Sequence, residues 1–151
     1  MKLLATATAL CLGLACSGAL ANEPTEKDAI AMTERGAALM KSKGKDEMMK
    51  RISAKDPEFV QGELYIGMRD IKTGIMLAHP LNPSIVGKDL TDVPDANGKK
   101  YRREIIQTAA AKGKGWVDYM YKNPTTGKIE PKTTYVMKVD DVVLEAGIYK
   151  K

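Results

Sequence analysis

Five side chains in the second half of the chain could together hold a small anion: His79, Lys132, Tyr119, Tyr121 and Tyr135. A carboxylate taken out of water needs charge-assisted donors, which an ammonium, an imidazole and phenol hydroxyls supply, while rings and apolar walls take the rest of a small ligand. Each has a plainer reading beside this one. His79 could be a hydrogen-bonded histidine closing a strand, Lys132 a solvated lysine on an exposed edge, and Tyr119 and Tyr121 ordinary core.

Strand periodicity orders these candidates. Tyr119 and Tyr121 are two apart and share one face, so a single environment sees both. Lys132 and Tyr135 fall on opposite faces of a regular strand. Both line one pocket only if Pro131 delays the strand or a bulge intervenes, which ranks Lys132 above Tyr135. Trp116 is opposite in parity to Tyr119 and reads as core. Tyr65 and Arg69 share a strand face and are further donors by type, although nothing in the sequence separates them from an exposed face.

Other chemistry finds little support. With one histidine, a serine triad would have to recruit Ser42, Ser53 or Ser84, none of which lies in a nucleophile-elbow pattern. Asp140-Asp141 alternate across a strand or sit in a turn and form no carboxylate dyad, so no catalytic residues are expected. Asp95, Asn97, Gly98 and Glu104 match four positions of an EF-hand loop, but Val93 stands where an acid is required, which favours an Asx-Gly turn. The eight methionines after Met1 form no Met-x-Met array suited to copper(I) and read as core filler. No metal and no cofactor are expected.

Lys2 precedes an apolar run from Leu3 to Ala15, and Ala19-Leu20-Ala21 is a small-x-small site, so residues 1–21 read as a cleaved secretory signal with the mature chain starting at Asn22. A lipid attached at Cys16 is the competing reading, weakened by Gly13 where leucine is usual. Both cysteines, Cys11 and Cys16, lie in that segment, so cleavage leaves no thiol for disulfides or zinc. Residues 22–151, about 130 in number, suit one domain with its own core. Removing Lys2 takes the formal charge from +5 to +4, spread along the chain. That excess favours anionic ligands but makes no nucleic-acid groove, and no membrane span is expected after cleavage. The expected location is periplasmic or secreted.

These residues need elements to position them. Thr25 and Asp28 resemble a capping box, and helix formers run from Glu26 to about Ile52, with Gly44 as a point of kinking or division. Strands are expected at 62–69 (Leu64, Ile66 and Met68 on one face), 75–79, 115–122, 132–138 and 142–149. The proline- and Asx-rich stretch from Leu81 to Lys100 reads as a loop excursion of the kind that covers a site, followed by a short helix, 102–112, ended by Gly113.

A long helix and five strands, with a loop and helix inserted between the second and third, is the order of a PAS-like α/β (α+β) domain. The segments Tyr65 to Asp70, Gly74 to Leu90, Asp95 to Gly98, Gly115 to Tyr119, Pro131 to Val136 and Gly147-Ile148-Tyr149 resemble a single Cache domain. The resemblance is strongest at His79-Pro80 with Val86-Gly87-Lys88-Asp89-Leu90, and at Pro131-Lys132 with Tyr135-Val136. It implies a long N-terminal helix packed on a five-stranded antiparallel sheet. It also implies extracytoplasmic recognition of small molecules, often short carboxylates, with the signal passing to a membrane-bound partner, since no signalling module follows the last strand. The alternative is an interaction accessory of a membrane kinase, transporter or redox complex that binds no ligand.

Overall fold

The computed structural model describes residues 23–150; the expected signal segment, Cys16 and Asn22 lie outside the described residues. Helix α1 (Glu26–Lys43) begins at a full capping box. The Asp28 N–H donates to Thr25 Oγ1 at 3.4 Å and the Thr25 N–H donates to the Asp28 carboxylate at 2.7 Å, satisfying two donors at the helix start. Its buried residues Ala29, Met32, Thr33, Gly36, Ala37 and Met40 recur at spacings of three and four, a single stripe that must be covered. The helix expected to reach Ile52 is divided. Gly44, at φ 87°, ends α1 and opens α2 (Lys45–Ser53), whose Met48 and Ile52 extend the buried stripe.

The stripe is covered by an antiparallel sheet of six strands: β1 (Val60–Gln61), β2 (Leu64–Asp70), β3 (Met76–Ala78), β4 (Lys114–Lys122), β5 (Ile129–Val139) and β6 (Val142–Tyr149). Their order is β1-β2-β6-β5-β4, and β3 also pairs with β2, so that β1 and β3 divide one edge of β2 between them. Five strands match the expected ones; β1, two residues long, is too short to show any alternation. Between β3 and α3 (Tyr101–Lys112) the chain makes its long excursion, with one 3-10 turn at Pro83–Ile85.

Each face of the sheet has its own core. Towards α1 and α2 point Leu64, Ile66 and Met68 of β2, Tyr135 of β5, and Leu144 and Ala146 of β6. A Cβ at Gly36 would stand 2.9 Å from Ile66 Cδ1 and 3.2 Å from Leu144 Cδ1, so glycine is what lets α1 lie so close to β2 and β6. On the opposite face, Ile105 and Ala109 of α3 pack on Val117, Val136 and Val143. The helix ends at Gly113, which is left-handed at φ 75° and donates to the Ala109 carbonyl. The rest of this face is walled by α3, the excursion and strands β2, β4, β5 and β6, and it holds the cavity described below.

A buried ion pair cross-links β2 and β6 on the cavity face. Arg69, 2% exposed, donates from Nε to Glu145 Oε1 at 2.6 Å and from Nη1 to the Gly74 carbonyl at 2.9 Å. Removing one partner of such a pair strands a charge in the interior, whereas replacing both by apolar groups does not. Arg69→Met should therefore lower unfolding stability by about 3–5 kcal/mol, and adding Glu145→Leu should recover most of it; urea titrations of the single and double variants measure both. A double variant no more stable than the single one would contradict this reading of the pair.

Candidate functional site

The strand register builds the site in rows. Tyr119 of β4 lies opposite Lys132 of β5, which lies opposite Tyr149 of β6; the next row on the same face is Val117, Thr134, Gly147 and Tyr65. Gly147 leaves a gap in that row. A Cβ there would stand 2.8 Å from Lys132 Cε and 2.7 Å from the Thr133 carbonyl oxygen, and would also overlap the Thr134 hydroxyl. The lysine side chain lies over the gap and carries Nζ to 4.0 Å from the centre of the Tyr65 ring, with Tyr149 at 4.8 Å and Tyr121 at 5.5 Å.

Lys132 is 3% exposed, and among the described residues it makes no ion pair; ring faces are its contacts, with Glu145 and Glu63 acting on it at longer range. Ring quadrupoles attract a cation but replace only part of its hydration. Burial consequently pulls the Lys132 pKa down to about 7, against the weaker upward pull of Glu145 and Glu63.

His79 ends the β3 segment as an anchored ring. Its Nδ1 accepts the Leu81 N–H at 3.2 Å and the Asn82 N–H at 2.9 Å, which puts the ring proton on Nε2. The ring lies 5.0 Å from that of Tyr65, tilted by 55°. Burial first, then the positive charges of Lys132, Arg69 and Arg102, push its pKa down to about 3, so the imidazole is neutral at physiological pH and offers a donor, not a charge.

The remaining wall comes from α3 and the excursion. Tyr101 stacks on Tyr119 with ring centres 4.0 Å apart and planes 10° apart, and the Tyr119 hydroxyl pairs with Thr134 Oγ1 at 2.8 Å. Arg102, 8% exposed, lies with Cζ 4.3 Å from the Tyr101 ring centre and donates to the Val93 carbonyl at 3.1 Å. Asp95 fastens the excursion to the outer edge of β4. One of its carboxylate oxygens accepts the Met120 N–H at 2.8 Å and the other those of Asn97 at 2.9 Å and Lys99 at 2.8 Å. These bonds outweigh partial burial and hold the Asp95 pKa below the usual carboxylate value. Asp95 thus makes an Asx turn, and among the described residues no group of three or more His, Cys, Asp or Glu could hold a metal.

The chamber has a volume of about 20 Å³ and is lined by Lys132, His79, Tyr65, Tyr101, Tyr119, Tyr121, Arg69, Arg102, Thr134, Glu145, Gly147, Gly67, Met76 and Ile85. A single water needs about 10–15 Å³ by the same kind of measure, so the chamber suits a group of carboxylate size. Its basic and acidic side chains, besides the neutral His79, are Lys132, Arg69 and Arg102 against one carboxylate, Glu145. Donors, a positive balance and an aromatic wall are what a small anion would need there.

Four of the five residues singled out in the sequence, His79, Lys132, Tyr119 and Tyr121, meet at this chamber; Tyr135 does not. Pro131 neither delays β5 nor breaks its register, so Tyr135 keeps the opposite parity and packs 5.2 Å from Trp116 in the core beneath α1. Lys132 is on no exposed edge, because β5 lies between β4 and β6. The sequence reading left out Tyr101, Arg102, Thr134 and Glu145. Alternation along β6, with Glu145, Gly147 and Tyr149 opposite in parity to Leu144, Ala146 and Ile148, was a usable signal for Glu145. Nothing in the sequence shows which side of α3 Arg102 takes.

Comparison with known proteins agrees with this architecture. The family model for single Cache domain 2 matches residues 28–151. A periplasmic sensor domain of a chemotaxis protein superposes with a TM-score of 0.63 at 27% identity, over 83% of this chain and 90% of that one. A methyl-accepting chemotaxis protein from Vibrio parahaemolyticus gives 0.69 at 26% identity, over 82% and 86%. A Cache chemosensory domain described for carboxylic acid recognition shares the fold, with a TM-score of 0.64 at 22% identity over 83% and 88%. The sensor histidine kinase MctS of Rhizobium johnstonii is 33% identical over 78 residues, half of this chain but only 17% of the kinase. The chain belongs to the single Cache domain 2 family.

Proposed function

We propose that the protein is a periplasmic binding module for a small carboxylate, whose ligand-bound state is read by a membrane-bound signalling partner. Its family and its chemoreceptor and sensor-kinase relatives make it a sensory ligand-binding domain. Among the described residues, no helix is long and apolar enough to cross a membrane. The carboxylate reading rests on one observation, the chamber's three cations against a single carboxylate. Lys132 and Arg102 supply charge, His79 Nε2–H supplies a neutral donor, and the tyrosine rings wall the site. Low water content strengthens each of these bonds to an anion. Nothing in this arrangement activates a nucleophile, so binding and not turnover is the proposed role.

The small volume of the chamber, about 20 Å³, favours a second reading, an accessory that contacts a partner protein without a ligand. A thermal-shift screen of the dialysed protein against short mono- and dicarboxylates, amino acids and calcium separates the two. A ligand at 100 times its Kd stabilises the folded state by about 2.7 kcal/mol, visible as a rise of several degrees in Tm. Silence across all acids would leave only the accessory, and co-purification with a membrane partner would then be sought.

Lys132→Met should weaken carboxylate binding by about 10- to 100-fold, the usual worth of one charge-assisted bond, while the unliganded variant is at least as stable as the parent, since it no longer buries an unpaired amino group. An unchanged carboxylate shift in this variant would remove Lys132 from the site.

Binding should also be linked to protons. A carboxylate selects the ammonium form of Lys132, which the free protein loses above pH 7, so affinity should fall about tenfold per pH unit above that point. The neutral His79 takes no part. In the free protein the sign is opposite. The folded pKa of Lys132 lies below its ordinary value of 10.5, so the unfolded chain binds more protons between the two values and stability rises with pH across that window. Calorimetric titrations at pH 6, 7, 8 and 9 in buffers of different ionisation enthalpy measure the proton uptake; uptake that does not grow with pH would refute the linkage.

A further inference from the structure

Next to the chamber lies a larger cleft of about 510 Å³, and six residues, Tyr65, His79, Ile85, Tyr101, Arg102 and Tyr121, line both spaces. The two spaces adjoin along this aromatic and cationic rim. Their chemistry differs. The chamber is cationic, whereas the walls that belong to the cleft alone are mainly apolar: Leu81, Val93, Pro94, Ala96, Met120 and Ile129 are among them. Among the described residues the large exposed hydrophobics are Val86, Val93 and Ile129, and two of these three stand in the cleft, at 48% and 54% exposure. Apolar side chains left in water beside a charged pocket, on walls contributed by the excursion and by the β4–β5 end of the sheet, are a surface that gains from being covered.

We infer that the cleft is the tail subsite of the carboxylate site, so that the protein's ligand class is amphiphilic monocarboxylates, with the head in the chamber and an extended hydrocarbon or aryl tail over Val93 and Ile129. This rests on the carboxylate reading and narrows it. Size divides the ligand this way. A chamber of about 20 Å³ holds a carboxylate and little more, so any longer acid must send its chain into the adjoining space. Polarity selects the kind of chain. Lys122 and the shared Arg102 are the cations of the cleft, set against Asp95, while Leu81, Val93, Pro94, Met120 and Ile129 offer a second carboxylate no partner and let methylene groups shed hydration. The tail is preferred to a protein partner as occupant because the cleft is continuous with the wall of the head site.

The test is a homologous series, acetate, butyrate, hexanoate and octanoate, with succinate and octanol as controls, titrated calorimetrically into the protein at pH 6.5. From butyrate upward, affinity should rise about 2- to 4-fold for each added methylene, as expected for partial to full burial of each group, with succinate and octanol binding more weakly than hexanoate. In Val93→Ser/Ile129→Ser, two changes at exposed positions that leave the core untouched, octanoate should fall towards butyrate while acetate is unchanged. In Lys132→Met, octanoate should weaken together with acetate, which separates an anchored head from indiscriminate adsorption of the tail. If short acids bind and the series is flat, or if the double variant keeps the full length dependence, the tail subsite is overturned and the carboxylate reading stands. If no acid of any length binds, both are overturned.

Discussion

Holding an amino group in a protein interior costs several kcal/mol when no counter-charge accompanies it, and the cavity face of this domain is organised around that cost at Lys132. A carboxylate placed against the ammonium would lower it, but Glu145, the carboxylate that acts on it most strongly, is committed to Arg69. Rings take that place instead. Tyr65, Tyr121 and Tyr149 are drawn from three different strands to present their faces to one nitrogen. The arrangement leaves the lysine poorly satisfied, and a site that is poorly satisfied when empty is one that responds when a complementary anion arrives. Burial, helped by the same positive charges, keeps His79 neutral. One nearby imidazole is thereby converted from a competing cation into a fixed donor.

Much of the architecture was legible in the residues because periodicity carries it. The capping box at Thr25, the alternation from Leu64 to Arg69 and the Gly113 stop each follow from local rules, and the structure has them within a residue or two. The division at Gly44 was visible as a choice, and the positive φ there decides it. The short strand β1 was not legible, since two residues have no period. At the site, parity succeeded where a strand is regular and was the correct objection to Tyr135. Arg102 and Tyr101 stayed hidden because their positions depend on how α3 docks across strands remote in sequence. No pattern within Tyr101–Lys112 specifies that contact.

The Cache fold explains why so small a domain can afford such a polar interior. Its sheet has two faces, and the hydrophobic work is concentrated under α1 and α2, where Met32, Met48, Ile52, Phe59 and Leu144 are fully buried. The second face has a smaller apolar cluster beneath α3, and the area left over is free for tyrosines, arginines and a lysine. Stability and recognition are thereby assigned to opposite sides of one layer.

That division meets in a single strand. Along β6, Glu145 and Gly147 form part of the chamber, while Leu144 and Ala146 pass through the sheet to pack beneath α1. A pleated strand is stiff across its width, so its two sets of side chains cannot be displaced separately. Whatever shifts the chamber floor by a fraction of an ångström shifts the seat of the first helix by a comparable amount. Gly36, lodged with so little clearance against Ile66 and Leu144, gives that helix almost no room to absorb the movement silently. The strand behaves as a party wall, with an occupant on one side felt in the joinery on the other.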